Sequence, residues 1–387
     1  MRSNDTVGPD QKAVFDLLCR CALEPADGAG SIDSKILLKQ ARRHGLLPLA
    51  KRNYPDSLAL EDLESVDIEL RESSARGLHL AGELSRLIAH FEEAGIKAAP
   101  YKGPTLAAEA YGNLSLRSYC DLDVLIDRKD LAEAEKTLIG NGYIPELKLE
   151  GSRREHWLNQ NCELNFNSAD GLCHIEIHWA PLPPRFGTAF NLQEMLGRLR
   201  TVSVSGKPIP SLAPEDLLLV LCAHGFKHFW RRLFWIADLA RLLRAHPDLD
   251  WSVTLERAER WRTRRMLLLG TALANRLLGT RLPNEIIKRI EADPKVASLA
   301  QQSERWLQAD WEAPRSGITE ARYALSGGET FSDRGPMWQH LVGRALRPND
   351  RDRATVKLPR FLNFLYWLIR PFRLFRDYGL RGHSRQA

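Results

Sequence analysis

The sequence lacks the features that mark several classes of protein. Its six cysteines form no C-x-x-C pair, so neither a zinc ribbon nor a thioredoxin-type redox site is predicted. Its nearest approach to a membrane span, 361–369, is about half of the roughly 18–20 apolar residues required. The N-terminus has no apolar stretch of the signal-peptide kind, and we find no internal repeat or low-complexity tract. We therefore expect a cytoplasmic protein in a reducing compartment.

The composition is that of a folded, core-forming protein. The chain has 387 residues, of which 44% are hydrophobic and 27% charged, and this length suggests two or three domains. The formal net charge of +6 is unevenly placed, because residues 344–387 contain eleven Lys or Arg and only three Asp or Glu. The rest of the chain is close to neutral. Attraction to nucleic acid or to an anionic surface is therefore a question about this one segment.

Helical and strand periodicities divide the chain and predict an α+β protein with a mixed sheet. Apolar positions recur at helical spacing before and after a central stretch of short apolar and alternating runs. The predicted regions are an N-terminal helical region (1–94), a core of strands and helices (95–208), a C-terminal helical region (209–311), a loose connection (312–350) and a basic aromatic tail (351–387).

The tail mixes aromatic residues and leucines with arginines, most densely over 357–376. Such a segment is predicted either to make a peripheral contact with a membrane interface or to fold back on its own domain. Pro371 interrupts the helical pattern, and the apolar positions cover more than one helix face, so the sequence leaves both alternatives open.

Two carboxylates share one face of a predicted core strand. In the run Asp121-Leu122-Asp123-Val124-Leu125-Ile126, residues two apart point the same way, so Asp121 and Asp123 project together. Unpaired carboxylates that are buried side by side repel each other and are costly to desolvate. A divalent cation removes that cost, and Mg²⁺ prefers such oxygen ligands together with substrate phosphates.

A second alternating strand supplies a third carboxylate. His174, Glu176 and His178 share one face of this strand. If the two strands are neighbours, Glu176 joins the aspartates, and three carboxylates can hold two metal ions for an in-line phosphoryl displacement. Because Mg²⁺ prefers oxygen, we interpret His178 as a hydrogen-bonded neighbour of the site and His174 as structural.

A glycine turn precedes the first of these strands. Gly103 is predicted to connect a strand to a helix, whose free N–H groups and positive dipole end would face a phosphate. Thr105 would add a hydroxyl, and Lys102 would balance phosphate charge. Arg117 is predicted either to contact phosphate or to form a salt bridge with one of the acidic residues of the site. These four residues are the candidate nucleotide-binding residues.

This arrangement resembles the DNA polymerase β-type nucleotidyltransferase superfamily, and more narrowly the bacterial uncharacterised nucleotidyltransferase family. The resemblance covers about residues 12–255. It rests on Lys-Gly, a tyrosine, an arginine, an Asp-x-Asp strand, a Glu-x-His-Trp strand and a helical segment with spaced histidines and an aspartate, here Lys102-Gly103, Tyr111, Arg117, Asp121-x-Asp123, Glu176-Ile177-His178-Trp179, His224, His228 and Asp238.

The resemblance implies a polymerase β-like core that transfers a nucleoside monophosphate from an NTP to an acceptor and releases pyrophosphate. Two Mg²⁺ ions, or Mn²⁺ as an alternative, would be held by Asp121 and Asp123. Glu176 would be a third metal ligand or the base, and Gly103 would border the triphosphate. The resemblance does not identify the acceptor, which is left open between a small molecule, a protein and RNA.

The chain departs from the superfamily where Lys102-Gly103 replaces the usual Gly-Ser pair. This departure motivates an alternative function, a catalytically degenerate nucleotide-binding or scaffold protein held at a membrane by the tail.

Two further groups of residues are interpreted as structural rather than functional. His224 and His228, four residues apart, are predicted to make a helix–helix contact rather than to bind zinc, because no clear third ligand follows. Cys120 is predicted to be a small core residue.

Overall fold

A computed structural model of the protein describes residues 9–24, 32–54, 59–309, 317–346 and 365–366. Apart from 365–366, the predicted tail lies outside the described residues, and so does most of the segment for which membrane contact is predicted. Among the residues that the structure describes, none of the helices combines the length and the apolar character needed to span a membrane.

Helices precede the sheet, as the helical periodicity predicts. Asp33 caps the second helix by accepting hydrogen bonds from two backbone N–H groups, and Gly45 ends it in the left-handed conformation at φ 69°. The N-terminal helices are α1 (Pro9–Cys21), α2 (Ser34–His44), α3 (Leu47–Asn53) and α4 (Leu60–Glu93).

The central part of the chain forms a mixed five-stranded sheet, followed by a separate hairpin of two strands. The elements are β1 (Ala98–Pro100), α5 (Gly103–Tyr111), β2 (Asp121–Ile126), α6 (Leu131–Gly140), β3 (Ile144–Pro145), α7 (Gly151–Gln160), β4 (Glu163–Asn167), β5 (His174–His178), α8 (Leu192–Leu196), β6 (Arg200–Val204) and β7 (Lys207–Ser211). The strand order in the sheet is β1-β2-β5-β4-β3. Strands β2 and β5 are parallel, and the other neighbouring pairs are antiparallel.

The two faces of the sheet differ in chemistry. Val124, Ile175 and Ile177 are completely buried in a core that they share with α4 and α6. Burying each such side chain contributes roughly 1.5–3 kcal/mol, and a register slip by one residue would exchange the two faces. The apolar face therefore fixes which way the polar side chains of β2 and β5 point.

Helices follow the hairpin as far as residue 346. They are α9 (Pro214–Lys227), α10 (Leu233–Ala245), α11 (Trp251–Arg260), α12 (Arg264–Leu278), α13 (Asn284–Ala292), α14 (Pro294–Gln308), α15 (Gly317–Gly327) and α16 (Phe331–Leu346). Together they form an α+β fold in which a mixed sheet is flanked by helical regions.

The prediction of a loose connection over 312–350 is wrong, because α15 and α16 occupy most of it. Tertiary contacts explain the difference. The Tyr323 ring stacks on Phe226 at a centroid distance of 5.1 Å, and its hydroxyl lies 2.7 Å from the Ser303 hydroxyl. Packing of this kind stabilises short helices whose own periodicity is weak.

Candidate functional site

The pairing of β2 with β5 brings the predicted carboxylates together. Asp123 lies opposite Glu176 in this parallel pair, and Asp121 lies opposite His174. On the other side of β5, Glu163 of β4 lies opposite His178. Asp123 is only 3% exposed, whereas Asp121 and Glu176 are half-buried. Three carboxylates therefore line one patch of the polar face, and Glu163 stands at its edge.

Two cationic or proton-donating side chains contact these carboxylates. The Lys102 ammonium lies 2.5 Å from Asp123 Oδ1. The His178 ring is 2% exposed, and its Nε2 lies 3.4 Å from Asp123 Oδ1 and 3.2 Å from Glu176 Oε2. His178 is thus a hydrogen-bonding neighbour of the carboxylates, the position that its place on β5 predicts.

The carboxylates differ in the pKa that their surroundings impose. Burial, with the charge of Asp123, raises the pKa of Asp121 to about 6. Burial also opposes ionisation of Asp123, but Lys102 and His178 outweigh it and lower its pKa to about 2. Hydrogen bonds from His174 and His178 lower the pKa of Glu176. Of the three carboxylates, Asp121 is the one whose ionised form is disfavoured by burial and by the neighbouring negative charge of Asp123.

Gly103 begins α5 directly behind β2. Its φ is 53°, in the left-handed region that favours glycine. A Cβ at this position would stand 3.1 Å from the backbone oxygen of Asp121. The helix N-terminus, with Lys102 as its N-cap, therefore packs closely against the strand that carries the aspartates.

The structure places two of the predicted nucleotide-binding residues differently. Thr105 is 1% exposed in α5, and within the described residues its buried hydroxyl has no hydrogen-bond partner. Arg117 forms a salt bridge, but its partner is Asp238 of α10 rather than Asp121 or Asp123. Its Nε and Nη2 lie 2.8 and 3.0 Å from the two oxygens of Asp238.

A cavity of about 620 Å³ opens above the carboxylates, between the sheet, the N-terminal helices and α9 with α10. Its wall carries six cationic side chains, six carboxylates and three aromatic rings of Tyr, Phe or Trp, so charges of both signs face the cavity. The cationic and aromatic residues that line it include Arg42, Arg76, Lys102, Arg117, Lys227, Arg232, Tyr119, Phe234 and Trp235.

The sequence did not predict the position of several residues that line the cavity. Glu163 and Lys227 line the cavity, and Lys227 Nζ lies 3.5 Å from Glu163 Oε2. The polar alternation Glu163-Leu164-Asn165 was the available signal for this face of β4. Cys120 is exposed in the cavity wall, so its interpretation as a core residue is wrong. It precedes β2, where the chain has not yet entered the sheet.

His224 and His228 also face the cavity. Their ring centroids lie 4.5 Å apart, and His228 stacks on Trp235 at 5.0 Å. Burial lowers the pKa of both rings, that of His228 to about 3. Within the described ranges neither belongs to a cluster of three metal-ligating side chains. The contact with α10 that they make agrees with the predicted helix–helix role.

Comparison with known proteins identifies the family. The model of a family described as uncharacterised nucleotidyltransferases matches residues 30–279, which is more than half of the chain. The chain belongs to this uncharacterised nucleotidyltransferase family. The matched residues include the whole carboxylate patch and the α9–α10 wall of the cavity.

A solved structure is also similar to this chain. It is an antigenic nucleotidyltransferase-like protein from Paracoccidioides brasiliensis, 14% identical in sequence, with a TM-score of 0.33. The similarity covers 58% of this chain and 92% of that one. No match is found among curated proteins.

Proposed function

We propose that this protein transfers a nucleoside monophosphate from an NTP to an acceptor in a reaction that requires Mg²⁺ and releases pyrophosphate. The observation that carries the proposal is the convergence of Asp121, Asp123 and Glu176 on one polar face, beside the N-terminus of α5. Membership of a nucleotidyltransferase family supports it.

The donor set fits Mg²⁺. Carboxylate oxygens of Asp123 and Glu176 lie within 4.8 Å of each other, and Asp121 adds a carboxylate two residues earlier on β2. Carboxylate oxygens are the ligands that this ion prefers. When bound, Mg²⁺ would neutralise phosphate charge and orient the phosphates for in-line attack.

The chain's own residues position the nucleotide. Gly103 allows the helix N-terminus to approach β2, and the free N–H groups there suit a phosphate. Lys102 contacts Asp123, and its ammonium group would also interact with a phosphate bound beside that carboxylate. Cationic side chains of the cavity wall other than Arg117 would hold the rest of the triphosphate, and catalysis would come mainly from positioning and charge stabilisation.

The direct test is a labelling experiment that distinguishes the donor phosphates. The full-length protein is incubated with Mg²⁺, cell extract and each NTP, labelled in parallel at the α and at the γ position. We expect transfer of α-label with equimolar release of pyrophosphate and no transfer of γ-label. Nuclease and protease digestion then identify the acceptor as RNA, protein or a small molecule.

Two outcomes would contradict the proposal. Transfer of γ-label would indicate a phosphotransferase. Nucleotide binding without transfer to any fraction would favour the alternative of a nucleotide-binding or scaffold protein.

We also propose that residues 357–376 contact a membrane. A variant that ends at residue 343 is compared with the full chain in sedimentation with anionic vesicles, and only the full chain is expected to bind.

A second prediction concerns the glycine that begins α5. Gly103→Ala forces a side chain into the left-handed region, which costs roughly 1–2 kcal/mol, and pushes on the backbone of Asp121. Because small displacements of reacting groups are costly, we expect the transfer rate to fall roughly 10-fold. Urea unfolding and the initial rate measure the two effects.

Gly112→Ala is the matched control. Gly112 ends the same helix at φ 65°, and a Cβ there meets nothing within 4 Å. This variant should lose similar stability and keep its transfer rate. Equal rates in the two variants would show that the close approach to Asp121 has no role in positioning.

A further inference from the structure

A second cluster of metal-ligating side chains lies on the far side of His178, where β4 begins. Ligand atoms of Cys162, Glu163 and His178 lie within 4.8 Å of one another. Cys162 is 1% exposed, while the Glu163 side chain is 30% exposed and reaches the cavity. The cluster therefore joins a buried sulfur and a buried imidazole to a carboxylate at the cavity surface.

The imidazole of His178 faces both clusters with different nitrogens. Nε2 lies against Glu176 and Asp123, whereas Nδ1 points toward Glu163, 3.5 Å from its Oε2. In the described part of the chain Nδ1 makes no hydrogen bond, although its ring is 2% exposed. A buried polar atom without a partner costs about 1–3 kcal/mol.

This orientation is the one that metal-binding histidines adopt. A ligating imidazole almost always donates its second N–H to a carboxylate or a carbonyl, which fixes the tautomer. If Nε2–H of His178 donates to Glu176 and Asp123, the lone pair of Nδ1 is directed toward Cys162 and Glu163. The carboxylates of the first cluster would thus orient the ligand of the second.

The spacing of the ligand atoms suits a tetrahedral ion. Zinc binds sulfur at about 2.3 Å and nitrogen or oxygen at about 2.0–2.1 Å, so neighbouring ligand atoms stand roughly 3.3–3.6 Å apart. Here Cys162 Sγ lies 3.7 Å from Glu163 Oε2, and His178 Nδ1 lies 3.5 Å from the same oxygen. A small movement of these three side chains toward one another would bring all three ligand atoms within bonding distance of one ion.

We propose that Cys162, Glu163 and His178 bind a zinc-like transition-metal ion, distinct from the Mg²⁺ site on the other side of His178. The thiolate and the imidazole select such an ion over Mg²⁺. Three protein ligands leave a fourth position for water or an incoming group, on the side where Glu163 lines the cavity. Lys227, 3.5 Å from Glu163 Oε2, remains a neighbour of the carboxylate. The site does not rest on the proposed transferase activity, because it needs no nucleotide.

The test uses Co²⁺ as a spectroscopic substitute for zinc. The reduced, full-length protein is freed of metal with a chelator, supplied with excess Mg²⁺ to fill the oxygen site, and titrated with Co²⁺. We expect thiolate-to-Co²⁺ charge-transfer absorption that saturates at about one equivalent per chain and is abolished by Zn²⁺.

Variants identify the ligands. Cys162→Ser should abolish the charge-transfer band, whereas Cys120→Ser, at the exposed cysteine of the same cavity, should keep it. Glu163→Gln, which is partly exposed and should fold, is expected to weaken Co²⁺ binding at least about 10-fold. Absence of the band in the parent protein, its survival in Cys162→Ser or its loss in Cys120→Ser would each overturn the proposal.

Discussion

Asp123→Asn is expected to reduce nucleotidyl transfer at least roughly 100–1000-fold, the loss typical when one preorganised charge-stabilising group is removed. Asp123 is the most buried of the three carboxylates and the one that both Lys102 and His178 contact. The substitution keeps the shape of the side chain and removes the charge that would hold the metal. The α-label assay with Mg²⁺ measures the effect.

Asp127→Asn is the matched control for this substitution. Asp127 follows β2, outside the cavity, and accepts hydrogen bonds from the Lys129 N–H and from Gln193. It should leave the transfer rate within about 2-fold. A rate in Asp123→Asn close to that of the parent would contradict the assignment of Asp123 to the reaction.

Asp121→Asn separates catalysis from folding. Asp121 shares its face with Asp123 and lies near Glu176, so removing its charge relieves repulsion in the metal-free protein. We expect this variant to lose transfer as Asp123→Asn does, while its urea midpoint does not fall. Loss of both properties would mean that the carboxylate patch serves mainly to stabilise the fold.

The carboxylate patch was predictable because strand alternation is a local signal. Apolar residues at 122, 124 and 126 and at 175 and 177 fix one buried face, and the opposite face follows from geometry. The prediction that Glu176 joins the aspartates required β2 and β5 to be neighbouring strands, and the structure pairs them. The short glycine turn at 103 was readable for the same reason.

Features that depend on distant contacts were not predictable. The polar face of β4 becomes part of the site only because β4 pairs with β5. Strand β7 carries Pro208 and Pro210, which argue against a strand in isolation, yet the turn at Ser205-Gly206, with positive φ at both residues, closes a hairpin with β6. Arg117 finds a partner 121 residues away, which no local pattern indicates.

Asp238→Leu is expected to destabilise the protein by roughly 3–5 kcal/mol, because it leaves the buried guanidinium of Arg117 unpaired. Arg117 is 6% exposed and Asp238 1% exposed. The Tyr111 hydroxyl also donates to Asp238, at 2.6 Å, so the change removes three hydrogen bonds at once. Urea unfolding of the full-length protein measures the loss.

The triple variant Asp238→Leu, Arg117→Met, Tyr111→Phe should recover more than half of this loss. It removes both groups that Asp238→Leu leaves unpaired, the Arg117 guanidinium and the Tyr111 hydroxyl. Buried ion pairs can often be replaced by apolar side chains of similar volume. Stability as low as that of Asp238→Leu alone would show that the cluster is required as an ionic unit.

The same triple variant decides between the two roles predicted for Arg117. Its guanidinium lines the cavity, but Asp238 occupies both Nε and Nη2, so we infer that it positions the segment leading into β2 rather than binding phosphate. In a stable triple variant the KM for NTP should then stay within about 3-fold of the parent value. A KM raised 10-fold or more, with the fold intact, corresponds to about 1.4 kcal/mol of lost binding and would assign Arg117 to the triphosphate instead.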